Sequence, residues 1–328
     1  MNPQSNQPLA AAKPKLIVLL GPTSVGKTRL SLEIAKKFQC EIISGDSMQV
    51  YRGMDIGTAK ATPDERRMIP HHLIDIREPD EPFSVTEFQD LAGNAVKEIF
   101  DRGHTPFIVG GTGLYIEAFC YGFEFSVGGM DERFRQDQAE YAEQYGIEAL
   151  HNKLKQVDPE SADRIHPNNL RRVIRALEIV HMTGITMTQS LEDQKRQSPY
   201  DLCLIGLTMD RELLYERIEQ RIDIMLDKGL IQEVQVLLSK GYTRSMVSMQ
   251  GLGYKEIIGY LENEYSLAEA VAMLKQSTRN YAKRQMSWFR HMKDIQWVDV
   301  TDSVNFSAYL NIISDIIAGK FSNSTEYN

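Results

Sequence analysis

The chain has 328 residues, 42% of them hydrophobic and 25% charged, with a formal net charge of −8 at pH 7. That balance fits one large or two modest globular domains, and its overall sign does not advertise nucleic acid as a partner. Cys40, Cys120 and Cys203 are far apart and form no C-x-x-C pair, so they suggest neither a zinc site nor a disulfide framework and suit a reducing cytoplasm. No apolar run approaches the length of a membrane span.

Residues 1–14 are polar and alanine-rich and read as a disordered lead-in without the apolar core of a signal peptide. The apolar run Leu16 to Leu20 predicts a strand over 15–20. It leads into Gly21-Pro22-Thr23-Ser24-Val25-Gly26-Lys27-Thr28, an unbroken G-x-x-x-x-G-K-T. Leu30, Ile34, Ala35 and Phe38 follow at helical spacing. Strand, loop and helix in that order are what a phosphate-binding P-loop requires. The glycines let backbone N–H groups face an anion, and the helix N-terminus adds partial positive charge. Lys27 supplies a point charge, and the Thr28 hydroxyl suits Mg²⁺. The motif fixes a phosphate or diphosphate ligand but not what is done with it.

A second strand is expected over 40–44, ending in Gly45-Asp46-Ser47, and a third over 73–76. Apolar residues at helical spacing predict a helix over 85–100, opened by Ser84 and Glu87 as a capping box. A buried strand over 106–109 then runs into Gly110-Gly111-Thr112-Gly113. Strands alternating with helices predict a doubly wound parallel sheet, with ligands at the strand C-termini. Beyond Tyr121 the rhythm changes. Residues 130–192 read as wholly helical, and a strand-like run returns at 202–207. The simplest organisation is an α/β core over 13–122 and 200–320, with an α-helical insertion over 123–199. A helix is expected over 211–226, a last edge strand over 296–300 and a frayed tail over 322–328.

Four constellations can carry chemistry. Asp46, just past the second strand, faces the same crevice as the P-loop; it can bind a metal, accept a proton, or simply cap an Asx-turn. The Gly110–Gly113 segment can let backbone approach a ligand, or serve only as a tight turn. Arg217 and Arg221, four residues apart on one helix, can clamp a diphosphate or pair with Glu216 and Glu219. Two stretches break the acidic average: residues 164–175 hold four arginines and 279–293 hold five Lys/Arg, with no acid in either. On a helix Arg279, Lys283 and Arg290 form a basic stripe, with Tyr281, Trp288 and Met292 opposite as a packing face. Such a stripe suits phosphate-backbone contacts or plain solvation.

Together these pieces resemble one family, the tRNA dimethylallyltransferases (tRNA isopentenyltransferases). The resemblance rests on the P-loop, the run Ile43 to Tyr51 around Asp46, Gly53 to Lys60, His71 to Asp75 and Val109 to Tyr115. It continues through Asp158-Pro159, Ile165 to Asn168, Arg175 to Glu178, Gly253-Tyr254 and Ala282-Lys283-Arg284-Gln285. It spans about residues 15 to 300 and implies a P-loop NTPase-like α/β fold. It implies transfer of a dimethylallyl group from dimethylallyl diphosphate to the exocyclic amine of the adenosine 3′ to the anticodon in tRNA. By resemblance Asp46 is the general base. Gly21, Thr23, Ser24, Val25, Gly26, Lys27 and Thr28 hold diphosphate, with Mg²⁺ on Thr28 and help from Arg217 or Arg221. Asp46, Ser47, Met48, Gln49, Thr112, Arg135, Arg171, Arg172 and Arg175 match segments that contact tRNA, and the basic stripe joins them. With no cysteine after Cys203 the chain resembles the shorter bacterial type. The alternatives are an adenylate isopentenyltransferase, against which the insertion and the basic helix argue, and a P-loop kinase of a small metabolite.

Overall fold

The computed structural model describes residues 13–125, 131–192, 197–302 and 305–322; the expected lead-in and tail fall almost wholly outside these. The chain divides into two compact units, residues 1–121 with 198–328, and residues 122–197.

The first unit is built on a parallel sheet. Its strands, in chain order, are β1 (Lys15–Leu20), β2 (Cys40–Gly45), β3 (His71–His72), β4 (Thr105–Gly110), β5 (Asp201–Thr208) and β6 (Gln296–Asp299). Their order across the sheet is β3-β2-β4-β1-β5-β6, and every pairing is parallel. Leu16 to Leu20 are fully buried, as befits a central strand covered by helices on both faces. The covering helices begin with α1 (Lys27–Lys37), α2 (Pro63–Met68), α3 (Val85–Asp101) and α4 (Gly113–Tyr121). The capping box expected at Ser84 and Glu87 opens α3, and Thr62 with Glu65 makes another at α2.

The strand expected over 73–76 is not there. Pairing with β2 stops at His72, because Leu73 and Asp75 adopt left-handed backbone angles, φ of 60° and 56°. Asp75 is drawn instead to Lys60 and Arg66 by ion pairs of 2.7 and 2.6 Å. The other expected strands and helices fall within a residue or two of their bounds.

Among its described residues the second unit holds five helices: α5 (Glu132–Tyr145), α6 (Ile147–Val157), α7 (Pro159–Arg164), α8 (Leu170–Thr183) and α9 (Met187–Glu192). It has its own apolar core around Leu150, Leu154, Val173 and Ala176. Buried Asp158 caps α7 by accepting the Ser161 N–H at 3.0 Å, which explains the Asp158-Pro159 pair.

The first unit resumes with β5, then α10 (Arg211–Asp227), α11 (Leu230–Ser239), α12 (Tyr254–Leu261), α13 (Leu267–Phe289) and, after β6, α14 (Phe306–Ser322). No described helix is long and apolar enough to cross a membrane.

Candidate active site

The C-terminal ends of β1, β2 and β4 converge, as open parallel sheets demand of a ligand site. After β1, Gly26 takes φ 102° as the residue before α1, a left-handed turn that glycine enters without strain. After β4, Gly110 lies against Gly45 of β2, where an added Cβ would sit 2.2 Å from the Gly45 carbonyl oxygen. Glycine at 110 lets those strand ends meet.

Two cavities open here, of about 340 and 420 Å³. They share six lining residues: Thr23, Ser24, Asp46, Thr58, Arg221 and Tyr281. The larger is the P-loop side, lined also by Lys27, Thr28, Arg217, Gln49 and the Gly110-Gly111 segment. The smaller adds an apolar wall of Ile218, Ile222, Met225, Leu252 and Leu274, and its edge carries Ser47, Met48 and Arg284. Arg217 and Arg221 thus both line the P-loop side, and of the two Arg221 alone borders both spaces.

Lys27 Nζ donates to the carbonyls of Gly21 and Pro22, each at 2.8 Å. Burial first, and then the neighbouring Arg221, lower its pKa to about 7 against the opposing pull of Asp46. Burial also depresses Arg221, with Asp46 again opposing. The site therefore gathers buried cations around one carboxylate, an arrangement that an incoming polyanion satisfies. Ser24 Oγ is buried without a hydrogen-bond partner, so the loop keeps a polar group in reserve for a ligand.

Asp46 Oδ1 accepts the Met48 N–H at 2.8 Å, so the Asx-turn is real. The same residue also lines both cavities. Ser47 N–H donates to Thr112 Oγ1 at 3.0 Å, and Thr112 N–H donates to the Gly45 carbonyl at 3.1 Å. Ser44 Oγ donates to Gln49 Oε1 at 2.9 Å, and Gln49 Nε2 reaches the Thr58 carbonyl at 3.3 Å.

Three residues near the site have roles that local sequence did not suggest. Glu233 on α11 accepts the consecutive N–H groups of Asp55, Ile56 and Gly57 at 2.7 to 3.0 Å, and the Tyr254 hydroxyl at 2.7 Å. It fixes the loop that brings Thr58 to both cavities. Tyr281, expected on a packing face, lines both cavities; burial first, and then Asp46, push its phenol up. Gln285 on α13 reaches both the P-loop and Gly111. Only the glycines offered a hint, through the close approaches they permit.

The expected tRNA residues fall into different states. Arg135 and Arg175 both bind the buried Glu178, at 2.8 and 2.6 Å. Arg171 and Arg172 are exposed on α8. The basic stripe is less regular than its spacing implied. Arg279 is paired with Glu219, and α13 ends at Phe289, leaving Arg290 as its cap and Met292 beyond it. Lys283 and Arg290 remain exposed. The inward face of α13 is Ala270, Leu274, Ala282, Gln285 and Phe289 instead.

The IPP transferase family model matches residues 49–292, and an isopentenyl transferase model matches residues 14–81. A protein from Bacillus pumilus named tRNA dimethylallyltransferase is 54% identical over 94% of this chain and 96% of its own length. One of the same name from Anoxybacillus flavithermus is 53% identical, over 94% and 97%. The solved tRNA isopentenylpyrophosphate transferase of Bacillus halodurans is similar with a TM-score of 0.73 and 48% identity, covering 96% of this chain and 99% of that one. A eukaryotic dimethylallyltransferase described as acting on tRNA gives a TM-score of 0.79 at 30% identity, covering 95% of this chain and 80% of its own.

Proposed function

Because this chain belongs to the IPP transferase family, that of the tRNA dimethylallyltransferases, we propose that it moves a dimethylallyl group from dimethylallyl diphosphate to the exocyclic N6 amine of the adenosine 3′ to the anticodon in tRNA. The observation that carries the reading is the position of Asp46, in the wall shared by a cationic cavity and a partly apolar one.

The diphosphate lies along the P-loop, against its amides, Lys27, Thr28, Arg217 and Arg221. Apolar residues such as Ile222 and Leu274 suit the prenyl chain. The amine nitrogen attacks the carbon bearing the diphosphate, the C–O bond breaks, and the amine proton passes to the Asp46 carboxylate. An adenine amine is a poor nucleophile because its lone pair is delocalised into the ring, so proton removal during bond formation matters. Negative charge grows on the departing diphosphate, where Lys27 and the arginines neutralise it. Bases in an anticodon loop can be splayed out and read singly, with Ser47, Met48, Gln49 and Thr112 at the mouth to do so.

Mg²⁺ fits this site as a partner of the diphosphate. Among the described residues no group of three or more His, Cys, Asp or Glu side chains could hold a metal alone. Thr28 would be its protein ligand, and the ion would supply further charge neutralisation on phosphate oxygens. We further propose that residues 13–122 and 200–320 form the catalytic core, and that the insertion, residues 123–199, contacts tRNA through Arg171 and Arg172.

The isopentenyl transferase match over 14–81 covers the P-loop and the Asp46 segment but neither the insertion nor the basic helix, which favours a second reading with a free adenine nucleotide as acceptor. Labelled dimethylallyl diphosphate offered with unmodified tRNA or with AMP decides between them; label is expected in the tRNA, and label in AMP alone would replace the acceptor. Asp46→Asn should slow the single-turnover step by about 10²–10⁴-fold with diphosphate affinity nearly intact. A variant within about threefold of wild type would remove Asp46 from the base role.

A further inference from the structure

The P-loop and the Asp46 segment do not sit on neighbouring strands. They leave β1 and β2, and β4 runs between them. Whatever holds donor and base in register must therefore pass through the loop after β4. On one side that loop is tied to the base: Thr112 accepts the Ser47 N–H at 3.0 Å and donates its own N–H to Gly45 at 3.1 Å. On the other side, beyond the strand pairing that ends at Leu20 and Gly110, a side chain of α13 adds a link to the P-loop. Gln285, 5% exposed, accepts the Thr23 N–H on Oε1 at 2.9 Å and donates from Nε2 to the Gly111 carbonyl at 2.8 Å. An acceptor for an N–H and a donor for a carbonyl orient the carboxamide one way only. Gly111 is shaped to it, since a Cβ there would lie 2.2 Å from Gln285 Nε2.

We propose that Gln285 is a positioning residue that straps the P-loop to the Gly110–Gly113 loop and thereby sets the distance between the leaving diphosphate and Asp46. Its side chain lines the larger cavity, but both of its hydrogen bonds go to backbone. It acts through Thr23, which borders both cavities, and through the Gly111-Thr112 backbone. Displacements of about 1 Å at a reacting pair can reduce the rate about 10²-fold while each partner still binds.

The inference rests on the transferase reading, and the test separates the two. Gln285→Met keeps the bulk and loses both hydrogen bonds. Gln285→Glu keeps the bond to Thr23 and sets an oxygen against the Gly111 carbonyl. Each is expected to lower the single-turnover rate by about 10–100-fold, with KM for tRNA and the Kd of inorganic diphosphate within about threefold of wild type. Gly111→Ala should expel the carboxamide and give the same loss. With Gln285→Ala made as a further single, the double variant Gly111→Ala/Gln285→Ala should be no worse than the poorer of its two singles, because both changes break one strap. Hydrogen exchange at the Thr23 amide should rise in Gln285→Met and in Gly111→Ala, which lose that bond, whether or not the wild type transfers anything. A wild type that transfers nothing overturns the activity, while the exchange result still decides the strap. Wild-type rates in both Gln285 variants, fully additive losses in the cycle, or a Thr23 amide equally protected throughout would each overturn it. If Gln285→Met does not fold, Gln285→Glu and Gly111→Ala carry the same decision.

Discussion

Lys27 combines two demands that oppose each other. The fold buries it, which favours the neutral amine, yet it must meet a polyanion as a cation. Its pKa of about 7 in the free protein is the compromise. Below pH 7 the ammonium is present at no cost; above it a proton must be taken up when diphosphate binds. Affinity for inorganic diphosphate should therefore fall as pH rises through about 7, by up to about tenfold per unit. Lys27→Met should flatten that step and leave only the titration of diphosphate itself. Calorimetric titration from pH 6 to 9 checks this, and an identical profile in the variant would show that Lys27 does not set it. At this scale the sequence was most readable where function is local. Gly26, Lys27, Thr28, Asp46 and Thr112 lie in short motifs whose chemistry is written by their neighbours. Gln285 and Glu233 were unreadable as parts of the site, because their partners lie 262 and about 177 residues away. A buried glutamine and a surface glutamate have no local signature.

Between elements, Glu41 shows how β2 is tied in place. Its carboxylate, 4% exposed, receives Arg102 from the end of α3, His72 from β3 and His104 from the turn before β4, at 2.7 to 2.8 Å. The Arg102 bonds, against an opposing burial term, hold its pKa down near 2, from an ordinary 4.5. A lowered carboxylate pKa gives stability that is present above about 4.5 and is lost as pH falls toward 2. Glu41→Gln should cost about 1–2 kcal/mol at neutral pH, allowing for solvent screening at the half-exposed Arg102. The gap in Tm should close between pH 4.5 and 2; a constant gap would mean that shape, not charge, is what Glu41 supplies. The same contrast explains which elements were legible. β1 follows from five consecutive apolar residues, and α3 from its spacing and capping box. The run Leu73 to Ile76 also alternates like a strand, but Lys60 and Arg66 turn Asp75 out of the ladder. Nothing within that run announces partners 15 and 9 residues away.

At the scale of the molecule, a net charge of −8 must coexist with a proposed RNA partner. The exposed arginines that remain uncommitted decide how. Arg171 and Arg172 make no ion pair among the described residues, whereas Arg279 is already held by Glu219. Arg171→Gln/Arg172→Gln should weaken tRNA binding and lower its log–log salt slope by about 0.7–0.9 per lost phosphate contact. Arg279→Gln should change the slope less. Filter binding from 50 to 200 mM salt checks both, and a wild-type slope in the double variant would take the insertion out of RNA contact. Prenyl diphosphate affinity should not move in either case.

One pairing sets a timetable for making the protein. The central strand β1 leaves the ribosome well before one of its two neighbours, β5, whose register joins Lys15 to Asp201 and Leu20 to Gly206. At about 5–20 residues per second, roughly 10–40 seconds of translation separate the two. Through that interval a strand with five consecutive apolar residues has an open edge, while the second unit emerges with a core of its own. Nascent chains halted before residue 201 should therefore be the form most in need of a chaperone.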